Sequence, residues 1–240
     1  MQAETSSSAL IVIAKAPLRG FAKTRLVGER GLDADAVARL ADAFVRDTLR
    51  ACARVSGVRR VVCFAPREAE AYFRELAPDA LLVPQGEGDL GARLSGAFDA
   101  VFASGATRAV LIGMDTPHVE PKLLERAFRE LEHADCVLGP ASDGGYYLIA
   151  LRERRPEVFR RIEWSTPRAL AQTLERAREA GLATVLIDEV FDVDGGADLA
   201  RLEALLGADG EPCPRTARVL ADVRAASNGG AGRADGARSP

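Results

Sequence analysis

The stretch Ala9-Leu-Ile-Val-Ile-Ala14 is an unbroken apolar run with polar residues on both sides. A run this short and this continuous suits a strand covered on both faces, so the fold it enters must lay helices on both sides of a sheet. The rest of the chain repeats the arrangement. Asp33 is placed to cap a segment in which Val37, Leu40, Ala41, Phe44, Val45, Thr48, Leu49 and Cys52 recur at helical spacing. Residues 58–65, 80–84, 108–113, 134–140, 146–151 and 183–187 read as further strands. Residues 68–76, 92–103, 167–180 and 198–206 read as helices, and another helix opens at Pro121, where proline suits the first turn. The Asp-Gly-Gly between 134–140 and 146–151 is a turn that returns the chain antiparallel. The expected fold is therefore α/β: a Rossmann-like, three-layer arrangement around a mixed, mostly parallel sheet, with ligands gathered at the carboxyl ends of the strands.

Composition sets the limits of that fold. With 240 residues, 48% of them apolar and 28% charged, the chain can bury one substantial core. The expected organisation is a flexible segment over 1–8, one domain over 9–224 and a disordered tail over 225–240, where Gly, Ala, Ser and Arg follow no period. A formal net charge of -3, with arginines dispersed among carboxylates, argues against nucleic acid as a partner. No apolar run approaches the roughly 20 residues that cross a bilayer, and the first eight residues lack the features of a secretion signal. A cytoplasmic location is expected. Cys52, Cys63, Cys136 and Cys213 show no paired spacing and read as reduced core thiols, and His118 and His133 have no helpers at zinc-ligand spacing. Subunit pairing surfaces look like ordinary core in a sequence, so a homodimer is compatible with the chain.

Four segments place polar chemistry where a strand stops. The first, Lys15-Ala-Pro-Leu-Arg-Gly-Phe-Ala-Lys-Thr-Arg-Leu26, carries Lys15, Lys23 and Arg25 around Gly20, and such a loop can neutralise a polyphosphate while glycine allows close approach. It is not a Walker A loop, because Ala22 and Pro17 stand where glycines are required, and no dinucleotide fingerprint follows the strand. The alternative is a plain exposed basic loop. In Gly113-Met-Asp-Thr-Pro117, Asp115 meets the requirement of Mg²⁺ for one or two carboxylates beside substrate phosphates; the alternative is a helix cap. Asp143-Gly-Gly-Tyr-Tyr147 suits an acceptor or sugar, or else is a tight turn. The fourth, residues 89–94, contains Asp89 and Arg93. Asp192 and Asp194 follow the last strand, and one of them could be a second metal ligand, whereas Asp198 suits the first turn of the next helix. Trp164 precedes a helix and could contact acceptor, with Thr166 a candidate cap before Pro167.

In order along the chain, these strings resemble the bacterial glycosyltransferase-A-like proteins called radical-SAM/selenodomain-associated transferases, and the resemblance covers nearly all of 9–206. It implies a nucleotide-diphospho-sugar transferase fold with nucleotide on the N-terminal half and a small acceptor on the other. It implies Mg²⁺ or Mn²⁺ on Asp115, with Asp192 and Asp194 as further candidates. Nucleotide would meet Lys15, Pro17, Gly20, Lys23, Thr24, Arg25, Asp89, Gly91 and Arg93. Acceptor would meet Asp143, Gly144, Gly145, Tyr146 and Trp164, and Asp115, Asp143 and Lys23 would carry the chemistry. The expected reaction is transfer of a sugar from a nucleotide-diphospho-sugar. The near alternative is nucleotidyl transfer from a nucleoside triphosphate to a phosphorylated metabolite, since Lys-Thr-Arg-Leu is similar to the Lys-Ser-Arg-Leu of phospholactate guanylyltransferases. Asp-Gly-Gly-Tyr-Tyr departs from the corresponding segment of those enzymes. A catalytically inactive nucleotide-binding module is the third reading.

Overall fold

The structure, a computed structural model, describes residues 7–207 and 210–231. Residues 1–6 of the expected flexible segment and 232–240 of the expected tail lie outside the described residues. Seven strands form one sheet: β1 (Ser8–Lys15), β2 (Arg59–Ala65), β3 (Leu81–Pro84), β4 (Arg108–Gly113), β5 (Cys136–Pro140), β6 (Tyr146–Leu151) and β7 (Thr184–Leu186), in the spatial order β3-β2-β1-β4-β6-β5-β7. Six run parallel. β6 alone is reversed, pairing antiparallel with β4 (Ile112 opposite Leu148) and with β5 (Leu138 opposite Ile149). The Asp-Gly-Gly turn thus closes an antiparallel hairpin, as its composition predicts.

Period-two alternation along the inner strands explains the two cores. On β1, Leu10, Val12 and Ala14 enter one apolar cluster and Ala9 and Ile11 the other. The first cluster packs beneath α1 (Ala34–Ala53), α4 (Pro121–Glu130), α6 (Gly196–Leu205) and α7 (Pro214–Ala231), with α2 (Glu70–Leu76) adding Phe73. The second packs beneath α3 (Leu90–Ala103) and α5 (Ala169–Glu179), through residues such as Leu94, Phe98 and Ala177. The Asp33 side chain accepts from the Ala36 amide at 2.7 Å and so caps α1, and each of the apolar positions named above for this helix is buried except Leu49, which is half-buried. All four cysteines are free and buried, and burial pushes each thiol up to about 12.

The helix α7 is not legible in the sequence. It reaches Ala231, beyond position 225 where the composition predicts loss of order. Its attachment is polar as well as apolar: buried Asp47 on α1 accepts from the Thr216 amide and hydroxyl, both at 2.8 Å, and from the Arg215 amide at 3.3 Å. Among the described residues no helix is long and apolar enough to cross a membrane.

Just past β4, His118 is buried with its ring centroid 4.2 Å from that of Phe191, and neither ring nitrogen has a hydrogen-bond partner among the described residues. Burial, aided by the nearby Arg201 charge, holds its pKa down to about 4, against 6.5 ordinarily. Because the folded state resists a proton that the unfolded chain accepts, the contribution to stability is complete above pH 6.5 and lost as pH falls toward 4. The loss reaches about 3 kcal/mol. Urea unfolding of His118→Leu at pH 7, 5 and 4 should show a flatter decline than the parent chain; parallel declines would refute the assignment.

Candidate functional site

Lys15 ends β1, and its amide donates to the Met114 sulfur at 3.3 Å, which draws the first loop against the end of β4. The loop closes in a 3₁₀ turn at Thr24–Leu26, anchored by the fully buried Leu26. At the start of that turn Lys23 adopts φ 53, a left-handed conformation that β-carbon sterics disfavour. Its side chain explains what holds it there. The ammonium donates to Asp115 Oδ1 at 2.7 Å, Asp194 Oδ1 at 2.8 Å and the Val193 carbonyl at 2.7 Å, with the side chain only 5% exposed. Burial alone would lower its pKa, but the two carboxylates outweigh burial and the net shift is upward.

Asp115 follows the end of β4, and its backbone carbonyl accepts from the Val193 amide at 2.9 Å, tying this strand end to the 192–194 segment. Asp198 fixes the same segment from below, its Oδ2 accepting from the Asp194 and Gly195 amides at the start of α6. Burial also opposes ionisation of Asp194, yet Lys23 holds its pKa below the usual value. Asp192 forms no salt bridge among the described residues, and Lys23 offsets its burial only in part. Burial, then the charges of Asp115 and Asp143, push its pKa up to about 7. Arg25 stands farther out, 3.8 Å from Asp194 and mostly exposed.

On the opposite wall, the turn before β6 is held by Asp143, whose Oδ1 accepts from the Gly145 amide at 2.8 Å. Tyr146 meets Trp164 edge to face, with ring centroids 6.2 Å apart. The indole N–H of Trp164 is buried without a partner among the described residues. The Gln85 amide bridges the carbonyls of Ala14 and Cys63, both at 3.0 Å, and so locks the ends of β1 and β2 at the floor.

These walls enclose a cleft of about 620 Å³ at the carboxyl ends of the parallel strands. It brings together Lys15, Lys23, Thr24, Arg25, Asp89, Arg93, Asp115, Asp143, Gly145, Tyr146, Trp164, Asp192 and Asp194. Four expected residues lie elsewhere. Pro17 faces α1 and α7. Gly20 is exposed at φ +73 with open space where a β-carbon would sit, so it supplies the turn and not a close approach. Gly91 is buried, and a β-carbon there would lie 2.7 Å from both the Phe159 carbonyl and Trp164 Nε1. Gly144, at φ +87, packs on the Pro167 backbone. Asp89 lines the cleft, but its Oδ1 accepts from the Ala92 amide at 2.8 Å and caps α3, while Arg93 Nε donates to the Gly88 carbonyl at 3.2 Å.

Gln85 is the contributor that motif reading passes over as a site residue. One signal for the loop does exist in composition: the chain has three lysines against 29 arginines, and two of the three are Lys15 and Lys23. The Lys23 ammonium has three donors, and Asp115, Asp194 and the Val193 carbonyl take all three.

Among the described residues no group of three or more His, Cys, Asp or Glu converges into a ready-made metal site. Two carboxylates do converge on one cation, the Lys23 ammonium, and two is the usual protein contribution to Mg²⁺ held with substrate phosphates. Asp115 Oδ2 and the Asp192 carboxylate have no partner among the described residues and remain available to such an ion.

A family profile described as "Uncharacterized protein conserved in bacteria (DUF2064)" matches residues 48–166. No curated protein matches the chain by sequence. Among solved structures, the "putative nucleotide-diphospho-sugar transferase from Desulfovibrio desulfuricans G20" is 32% identical, with a TM-score of 0.81 over 92% of this chain and 96% of that one. The 4-diphosphocytidyl-2C-methyl-D-erythritol synthase of Anaerococcus prevotii DSM 20548 shares the fold at 9% identity, with a TM-score of 0.56 over 84% of this chain and 97% of that one. A cytidylyltransferase from Leptospira borgpetersenii serovar Hardjo-bovis shares it at 10% identity, with a TM-score of 0.52 over 92% and 95%. The seven-stranded, mostly parallel sheet flanked by helices is thus of the nucleotide-diphospho-sugar transferase type.

Proposed function

Since this chain belongs with the putative nucleotide-diphospho-sugar transferase it matches at 32% identity and is built on that fold, we propose that it transfers a sugar from a nucleotide-diphospho-sugar to a small neutral hydroxyl acceptor. The observation that carries this reading is how charge divides across the cleft. Its cations, Lys15, Lys23, Arg25 and Arg93, come from the first loop and the start of α3. The wall built by β6, Trp164 and the start of α5 offers Tyr146, Tyr147, Ile149, Trp164 and Ala169, with no lysine or arginine among the described residues. A diphosphate suits the first wall. An aromatic wall without cations suits a sugar ring or an uncharged acceptor, and would leave a phosphorylated acceptor unpaired.

In this reading Lys15 and Arg25 hold the donor diphosphate, and Asp115 with Asp194 or Asp192 holds Mg²⁺ or Mn²⁺. The ion would supply charge neutralisation for the departing nucleoside diphosphate. The acceptor oxygen bonds to the anomeric carbon as the bond to the diphosphate oxygen breaks, and the hydroxyl proton passes to Asp143, whose Oδ2 has no partner among the described residues. Lys23 keeps the two carboxylates aimed at one point.

The number of cations on the first wall favours a second reading, nucleotidyl transfer from a triphosphate. Panels of nucleotide-sugars and nucleoside triphosphates, each offered with hydroxyl and phosphorylated acceptors, separate the two. Release of nucleoside diphosphate that depends on a hydroxyl acceptor is expected. Pyrophosphate released from a triphosphate with a phosphorylated acceptor would overturn the sugar-transfer reading, and so would absence of product with every donor, which would leave a nucleotide-binding role.

A further inference from the structure

Away from the cleft, a groove of about 700 Å³ runs between α1 and α7. That volume falls within the range of small-molecule sites. Arg39, Arg46 and Arg50 lie on one face of α1, seven and four residues apart, and Arg215 and Arg218 sit a turn apart on α7, so five guanidinium groups line one space. The single carboxylate in the lining is Asp42, and it is already occupied: Oδ2 accepts from Arg46 Nε at 2.7 Å and Oδ1 from the Tyr72 hydroxyl at 2.7 Å. Arg50 is held at the rim by Glu211 at 2.6 Å and by the Pro212 carbonyl at 3.2 Å. The terminal nitrogens of Arg46 and the guanidinium groups of Arg39 and Arg218 have no hydrogen-bond or ion-pair partner among the described residues, whereas Arg215 feels the charge of Asp47 behind it. Most other described arginines are paired with a carboxylate, Arg30, Arg74, Arg126 and Arg154 among them.

We propose that this groove binds a small anion carrying two or more phosphate groups. Planar guanidinium groups present paired donors that match phosphate oxygens, and several around one cavity exceed what a monovalent anion could satisfy. The Asp47 clasp to Thr216 holds α7 on α1 before any ligand arrives, so the groove is preformed and binding costs little ordering. Pro17 forms part of the wall, so the occupant rests against the loop that carries Lys23.

The test uses inorganic tripolyphosphate with the full chain and two readouts. Trp164 is the sole tryptophan and lines the cleft, so its fluorescence follows occupancy there, whereas calorimetry counts every site. Calorimetry of the parent chain should reveal a binding event with no fluorescence counterpart. In Arg39→Gln/Arg215→Gln/Arg218→Gln that event should weaken about tenfold or more, at roughly 1.4 kcal/mol per decade, with the fluorescence titration unchanged. The matching triple Lys variant, which keeps the charge, should lose less. An isotherm unaltered by the triple Gln substitution would overturn the proposal, as would a parent chain whose entire heat tracks the Trp164 signal.

Discussion

Asp115→Ala loses turnover by a factor on the order of a thousand, because the substitution removes both a metal-ligand candidate and one of the carboxylates that position Lys23. Steady-state rates with the donor found by the panel experiment measure it. The fold survives. Lys23 keeps Asp194 and the Val193 carbonyl, and Asp115 is 45% exposed, so the space left behind is open to water. Asp115→Asn separates the two losses: the amide keeps the size and one oxygen toward Lys23 but not the charge, and it should remain nearly as inactive as the alanine variant. Turnover close to that of the parent chain in either variant would end the assignment of Asp115 to the chemistry.

Lys23→Met costs about 3 kcal/mol of stability, the lower end of the cost of breaking a buried ion pair, because the two carboxylates left behind are still partly wet. Methionine fills a similar volume, so the loss reports charge and not a cavity. Two acid groups and a carbonyl then face one point with nothing positive between them. Divalent cations should repair this in part: millimolar Mg²⁺ should raise the melting temperature of Lys23→Met more than that of the parent chain, where the ammonium already holds the position. Equal shifts in both proteins would show that the Lys23 ammonium does not occupy a divalent-cation seat formed by Asp115 and Asp194.

The alternation of apolar runs and helical periods was enough to read the sheet and most of its helices, because each element announces its own burial locally. The hairpin of β5 and β6 was legible for the same reason, from Asp143-Gly-Gly. What could not be read depends on distant partners. Lys23 looks like any loop cation until Asp194, 171 residues later, and Asp115 fold around it. The helix α7 carries few large apolar residues, and Thr216, Leu220 and Val223 mark its inner face only once Asp47 and α1 are in place. Gly20 and Pro17 belong to the same motif as Lys23, yet they sit on the outer side of the loop, and a motif does not record which of its residues turn inward.

The reversed direction of β6 has a consequence for how this molecule can diversify. β1 and β4 deliver residues to the cleft as the chain leaves the sheet, whereas β6 delivers Tyr146 as the chain enters it. The wall proposed to meet the acceptor is therefore fed by a hairpin turn that lies outside the parallel strands carrying Lys15 and Asp115. In the proposed reading, descendants of this chain could exchange one acceptor for another by editing the approach to Trp164, with Asp143 and the Lys15 and Asp115 strand ends kept.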